Sequence, residues 1–365
     1  MTARFRTTYR VACPESEIAA RAQGIAVEQS VELPLAASTD ARVTAEVVGR
    51  VEQIVPLGPD SYAVEIALAV ETVGAEVGQM LNMILGNTSM HDCVTLTDVE
   101  IVPEFAAWFG GPRLGLEGLR ARVGAGQRPL TCTAIKPQGM PPEALAALAH
   151  RLALGGLDYV KDDHTQADQT TAPFSQRIPA VAAAVRRAAS TTGRRTHYVP
   201  MLSGGWGRMH RQLALCREEG IDTVMMAPML SGPATMAEIA REWPGMAIFA
   251  HPSMSGGHIA PDLLFGKLLR LWGADALIFA NYGGRFGLSR AQCRQLADWA
   301  AAPMHGLRAA VPTPAGGMEL ARVGELLDFF GHDTMLLIGG SLLLAGERIP
   351  EVGAAFQHAV ETHFP

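Results

Sequence analysis

Lys161-Asp162-Asp163-His164 places an amine, two carboxylates and an imidazole in consecutive positions, directly after the apolar run Leu157-Asp158-Tyr159-Val160. Strand alternation sends Lys161 and Asp163 to one side, with His164 opening the loop, so three donors can face one divalent cation. A lysine ammonium has no lone pair and cannot ligate. A carbamylated Lys161 can, because the added carboxylate turns a cation into an oxygen donor. Without a metal, the same four residues make an ordinary solvated loop start. Lys136, in Ile135-Lys136-Pro137-Gln138, closes an earlier apolar run. A lysine buried beside a metal and a second amine gives up its proton more readily, which suits it to proton transfer near neutral pH. The plain alternative is a surface lysine at a strand end. His251, heading His251-Pro252-Ser253-Met254-Ser255-Gly256-Gly257, fits a catalytic or a structural role equally.

Two glycine pairs, Gly316-Gly317 and Gly339-Gly340, follow later apolar runs, and Arg285 lies in Tyr282-Gly283-Gly284-Arg285-Phe286-Gly287. Glycine lets bare backbone N–H groups approach an anion. Together with Arg285 they point to a phosphorylated small molecule.

The elements that must bring these groups together are short apolar runs alternating with amphipathic helices from Arg128 onward. The runs are Leu130–Ile135, Leu157–Val160, Thr196–Val199, Thr223–Met226, Met246–Ala250, Ala276–Ala280, Ala309–Thr313 and Thr334–Ile338. Eight such units over about 230 residues fit a (β/α)8 TIM barrel, whereas an open doubly wound sheet usually has fewer strands. Each run ends in a chemical group, and strand C-termini of a barrel converge on the face where active sites are built. Before the Phe109-Gly110-Gly111-Pro112-Arg113 break, the order is strand, helix, two strands, helix, strand: an α+β ferredoxin-like domain expected over 1–115, with the barrel over 116–365. Its hairpin is expected to pair Ala41–Val55 with Tyr62–Val70 across Pro56-Leu57-Gly58-Pro59-Asp60.

The 365 residues are 48% hydrophobic and carry a formal charge of −6 without basic runs. That excludes disorder and removes the footprint of a nucleic-acid binder. No signal-peptide core and no apolar run of membrane-spanning length is present, so a cytoplasmic protein without membrane association is expected. The five dispersed cysteines indicate reduced thiols rather than disulfides or a zinc site.

From about Phe5 to the loop after Gly340, the sequence resembles the ribulose-1,5-bisphosphate carboxylase/oxygenase (RuBisCO) superfamily. Gly155-Gly156-Leu157-Asp158-Tyr159-Val160-Lys161-Asp162-Asp163 is similar to that family's metal-site strand, and Lys161 follows Lys136 by the matching 25 residues. The resemblance implies that Lys161 is the carbamylated lysine and that Asp163 and His164 hold the two other ligand positions for Mg2+, with Mn2+ an alternative. It implies that Lys136 and His251 are catalytic, that Arg285 takes the place of the mobile loop-six lysine, and that Gly316, Gly317, Gly339 and Gly340 bind phosphate. Glu28 and Asn87 match residues that reach the partner subunit's active site, which implies a homodimer or a multiple of dimers.

The departures narrow the chemistry. His164 replaces a Glu, Pro252 a phosphate-binding Arg, Ile278 a His, Gln138 a second Lys, and Leu33-Pro34 a Thr-Trp pair. Most of the second phosphate site is gone, so CO2 fixation on ribulose bisphosphate is not expected. The chain looks like a RuBisCO-like protein, form IV, acting on a monophosphorylated keto sugar or sugar acid. The expected reaction is decarboxylation or C–C hydrolysis of the 3-oxo-isoapionate-4-phosphate type. The alternatives are the methionine-salvage reactions on 5-methylthioribulose-1-phosphate or its diketo analogue, and a catalytically silent sugar-phosphate sensor. The diketo enolases use a lysine base where this chain has Asn87.

Overall fold

A computed structural model describes residues 3–364. At the N-terminal end, β1 (Arg4–Ala12), β2 (Arg50–Gly58), β3 (Ser61–Ala69) and β4 (Val94–Val99) form an antiparallel sheet in the order β2-β3-β1-β4. Helices Glu15–Glu28 and Val77–Ile84 complete the ferredoxin-like order. Alternation along β1 buries Phe5, Thr7, Tyr9 and Val11 on one face. The Tyr9 hydroxyl donates to the Ile84 carbonyl at 2.7 Å, tying that face to the second helix.

The second strand is shifted from its expected place. Val43–Val47 forms a π-helical turn, and β2 starts only after Gly49. The cause is local: the Asp40 carboxylate accepts the N–H groups of Arg42 at 2.8 Å and Val43 at 3.3 Å, and Arg42 pairs with Glu46 one turn on. A capped start outweighs the β-branched residues that follow it. Pro56 and Leu57, expected in the turn, lie within β2, an edge strand where a missing N–H is tolerated.

Eight parallel strands follow: β5 (Leu130–Ile135), β6 (Tyr159–Asp162), β7 (His197–Val199), β8 (Thr223–Met226), β9 (Ala247–Ala250), β10 (Ala276–Ala280), β11 (Val311–Ala315) and β12 (Met335–Ile338). The circle closes where Met201 bridges Met225, with Leu202 N–H donating to the Met225 carbonyl and Met225 N–H to the Pro200 carbonyl, both at 2.8 Å. Alternate residues fill the interior, including Leu130, Cys132, Tyr159, Met225, Phe249, Ile278 and Met335, all buried. The opposite parity, such as Ile135, Val160, Val224, Ile248 and Leu277, packs under the helices. The barrel is therefore a packed core, leaving only its ends for chemistry. All five cysteines are free, and no helix among the described residues is long and apolar enough to cross a membrane.

The N-terminal sheet is joined to the barrel through β4. Leu96 N–H donates to the His258 carbonyl at 2.7 Å, Ala260 N–H donates to the Leu96 carbonyl at 2.9 Å, and Lys267 pairs with Asp98 at 2.5 Å.

Candidate active site

At the C-terminal mouth, β6 extends two residues beyond the apolar run, so Lys161 and Asp162 are strand residues and Asp163 is the first beyond it. Lys161 follows the inward parity of Tyr159. It is 3% exposed, and its Nζ donates to the Asp162 carbonyl at 3.0 Å. Burial lowers the Lys161 pKa, partly opposed by Asp163.

Asp163 is held on both oxygens. Oδ1 accepts the Thr165 N–H at 3.0 Å and the Thr165 hydroxyl at 2.7 Å, while Oδ2 lies 2.5 Å from Lys136 Nζ. Burial pushes this carboxyl up, but Lys136 and Thr165 together hold it well below the usual carboxylate range. Lys136 itself has a 41% exposed side chain. The buried lysine of the pair is therefore Lys161 and not Lys136 as expected, because Lys136 stands past the end of β5 on a loop open to solvent.

His164 Nδ1 lies 3.3 Å from Asp163 Oδ1, and its ring stacks on His251 with centroids 4.3 Å apart and planes 9° apart. Burial lowers the His164 pKa against the pull of Asp163, favouring the neutral, ligating form. His251 is driven down to about 2 by burial, then by Lys161 and His164. Burial thus favours the neutral imidazole. Its Nδ1 faces the Ser253 N–H at 3.3 Å and the Ser253 hydroxyl at 3.0 Å. We assign Nδ1 as the acceptor, which leaves the proton on Nε2.

These contacts test the fit of a divalent cation. Asp163 Oδ2 already meets one cation, the Lys136 ammonium, and the adjacent imidazole is neutral. Among the described residues, no group of three or more His, Cys, Asp or Glu side chains is placed to hold a metal ion. The donor set is completed only if Lys161 gains a carboxylate. Carbamylation needs a neutral amine, and the lowered pKa of Lys161 favours that form.

The middle carboxylate, Asp162, has the opposite parity and points into the strand–helix layer, where sequence reading gave it no role. There it accepts the Tyr198 hydroxyl at 2.7 Å and the Met201 N–H at 3.0 Å, and it faces the fully buried Arg177 at 3.3 Å. Burial raises its pKa, and Arg177 and Tyr198 counter that. Arg177 also donates to the carbonyls of Ala167 at 2.7 Å and Ala172 at 2.9 Å, fixing the loop that follows His164. Arg177→Met should cost about 3–5 kcal/mol, because it strands a buried carboxylate. Urea denaturation checks this, and an unchanged midpoint would show that Asp162 is protonated in the fold.

Gly316-Gly317 directly follows β11, and Gly339-Gly340 directly follows β12. A Cβ at Gly339 or Gly340 would meet nothing within 4 Å, so these glycines leave open space beside bare backbone. Gly316 and Gly317 have φ of +95° and +63°. Arg285 is exposed beyond β10, its guanidinium 4.8 Å from the Phe286 ring centroid.

Glu28 and Asn87 are brought to each other but not to this cluster. Asn87 Nδ2 donates to Glu28 Oε1 at 2.9 Å beside a polar cavity of about 210 Å3, lined by Gln29, Ser30, Glu32 and Asn82. Among the described residues, no hydrogen bond or ion pair links Glu28 or Asn87 to the barrel strand ends.

Residues 115–347 match the family described as ribulose bisphosphate carboxylase large chain, catalytic domain. The chain is 53% identical to ribulose bisphosphate carboxylase-like protein 1 of Rhodopseudomonas palustris over 100% of its own length and 99% of the relative's. It is 52% identical to the 5-methylthioribulose-1-phosphate isomerase of Rhodospirillum rubrum over 99% of this chain and 97% of that one. The crystal structure of a Rubisco-like protein from Rhodopseudomonas palustris superposes with a TM-score of 0.94 at 46% identity, covering 100% of this chain and 99% of that chain. Fold, strand-end chemistry and these similarities agree: the chain belongs to the RuBisCO superfamily, as a RuBisCO-like protein.

Proposed function

We propose that the chain is a metal-dependent isomerase of a monophosphorylated keto sugar, with 5-methylthioribulose-1-phosphate as its substrate. The observation that carries this reading is the 2.5 Å approach of Lys136 Nζ to Asp163, which fixes a proton carrier at the carboxylate of the ligand cluster. The Rhodospirillum rubrum relative, alike along nearly the whole chain, supports isomerisation over decarboxylation of 3-oxo-isoapionate-4-phosphate. Decarboxylation starts without a base and leaves the placement of Lys136 unused.

Asp163, His164 and the carbamate of Lys161 would hold a divalent ion, which when bound supplies positive charge that polarises a substrate carbonyl. The remaining work falls to the chain's own side chains. Isomerisation moves a proton from the carbon beside the carbonyl to a neighbouring carbon through an enediolate. With the Asp163 carboxylate given over to the ion, the Lys136 side chain would be released to take that proton and return it. His251, favoured in its neutral form by burial, offers Nε2–H to a substrate oxygen without adding charge. Gly316, Gly317, Gly339, Gly340 and Arg285 hold the one phosphate. Glu28 and Asn87, which make no hydrogen bond to the cluster within one chain among the described residues, complete the site of a partner subunit in a homodimer.

The test is incubation with 5-methylthioribulose-1-phosphate, Mg2+ and bicarbonate in D2O, followed by NMR. An isomeric phosphate carrying solvent deuterium is expected. Absence of both product and exchange would overturn the isomerase reading, and CO2 release from 3-oxo-isoapionate-4-phosphate under the same conditions would put the decarboxylase in its place.

A further inference from the structure

We propose that Arg322 is a positioning residue for the phosphate cradle, holding the Gly317–Met318 peptide in the orientation that presents its N–H to the anion. This rests on the reading that the Gly316-Gly317 loop binds phosphate. Arg322 ends the short turn Leu320–Arg322, and its Nη1 donates to the Gly317 carbonyl at 2.8 Å. A trans peptide is planar, with C=O and N–H pointing opposite ways. Pinning the Gly317 carbonyl therefore turns the Met318 N–H away from the guanidinium. Among the described residues, neither that N–H nor the one of Gly317 has a protein partner.

The next peptide is fixed from the other side. The Ser341 hydroxyl, directly after Gly339-Gly340, donates to the Met318 carbonyl at 2.5 Å. The backing is equally tight: a Cβ on Gly317 would fall 2.9 Å from the Gly283 carbonyl oxygen and 3.3 Å from Arg322 Nη1, and one on Gly284 would fall 3.2 Å from the Gly316 carbonyl. The loops after β10, β11 and β12 thus meet around one stretch of backbone.

Arg322 is held in place chiefly by protein groups. Its Nε and Nη2 approach Glu325 at 3.0 and 3.3 Å, and its Cζ lies 5.6 Å from the Tyr282 ring centroid. Glu325 in turn accepts the Tyr282 hydroxyl at 2.9 Å. Three of its five N–H groups go to the carboxylate and the carbonyl, and the guanidinium is held between them, so the side chain acts through the peptide it holds.

Calorimetric titration of the intact protein with inorganic phosphate tests this without depending on the substrate's identity. Arg322→Leu should weaken phosphate binding about tenfold, and Arg322→Lys, which can still donate to the Gly317 carbonyl, should recover at least half of that loss. In turnover, KM for the phosphorylated substrate should rise more than kcat falls, a split that general loosening of the fold would not give. Unchanged phosphate affinity in Arg322→Leu overturns the proposal. If that variant does not fold, Glu325→Gln, which frees the guanidinium, replaces it. About threefold weaker binding is then expected, and unchanged binding overturns the proposal. A wild-type protein that binds no phosphate would instead remove the phosphate reading of the glycine loops, a different result in a different sample.

Discussion

Lys161→Met is expected to leave a folded protein whose turnover is at least about a thousandfold lower, equivalent to about 4 kcal/mol of transition-state stabilisation. The Lys161 amine is 3% exposed and costs free energy to bury, so a methionine of similar length should keep the melting temperature or raise it. What disappears is the nitrogen that attacks CO2, losing a proton to solvent as the carbamate forms. Asp163 and His164 then remain as two donors where three are needed. Titration with Mn2+ in the presence of bicarbonate should show binding in the wild type and its loss in the variant. Because burial lowers the Lys161 pKa, the neutral amine is present at lower pH than for a free lysine, and bicarbonate activation should reach correspondingly lower pH. Full turnover in Lys161→Met would remove the carbamate, and with it the proposed ligand set.

Lys136→Met separates proton transfer from metal binding. Loss of a positioned general base typically costs a hundredfold to ten-thousandfold, so turnover should fall by about that much while Mn2+ affinity is retained. Affinity should not drop, since the variant also removes the amine that sits 2.5 Å from Asp163. Deuterium exchange at the substrate carbon should vanish with turnover. The same variant tests the dimer. An Asn87→Ala chain keeps an intact barrel, and a Lys136→Met chain keeps an intact Glu28–Asn87 pair. Each mixed dimer would then contain one complete site. Activity regained after subunit exchange supports shared sites, and verified exchange without recovery places Glu28 and Asn87 outside them.

The barrel, and the gathering of Lys161, Asp163 and His164 at one strand end, were legible because both follow from strand periodicity. Tyr159, Lys161 and Asp163 share a parity, and that alone sends the amine and the carboxylate to one side. Asp162 was written in the same four letters yet gave no signal, because its partners, Arg177 and Tyr198, come from other elements that the fold alone brings near. The exposure of Lys136 and the burial of Lys161 were likewise invisible, since both end apolar runs and differ only in how far each strand continues. In the N-terminal sheet, Val43–Val47 has strand-forming composition, and one aspartate side chain at position 40 redirects it into a turn. The substrate was not legible from spacing at all, because decarboxylase and isomerase need the same strand ends; the isomerase reading proposed above draws its support from a relative alike along nearly the whole chain.

The hydrogen bonds between β4 and the segment His258–Ala260 have an evolutionary consequence. That segment is the far end of the loop which His251 begins, so the N-terminal sheet is laced into a loop bearing an active-site side chain. Insertions there would break the lacing, and drift in β4 would be felt at His251. The two halves of the molecule are therefore expected to tolerate exchange best as a matched pair. A chimera that borrows its N-terminal domain from another member of the superfamily should work only if residues 251–260 are transplanted with it.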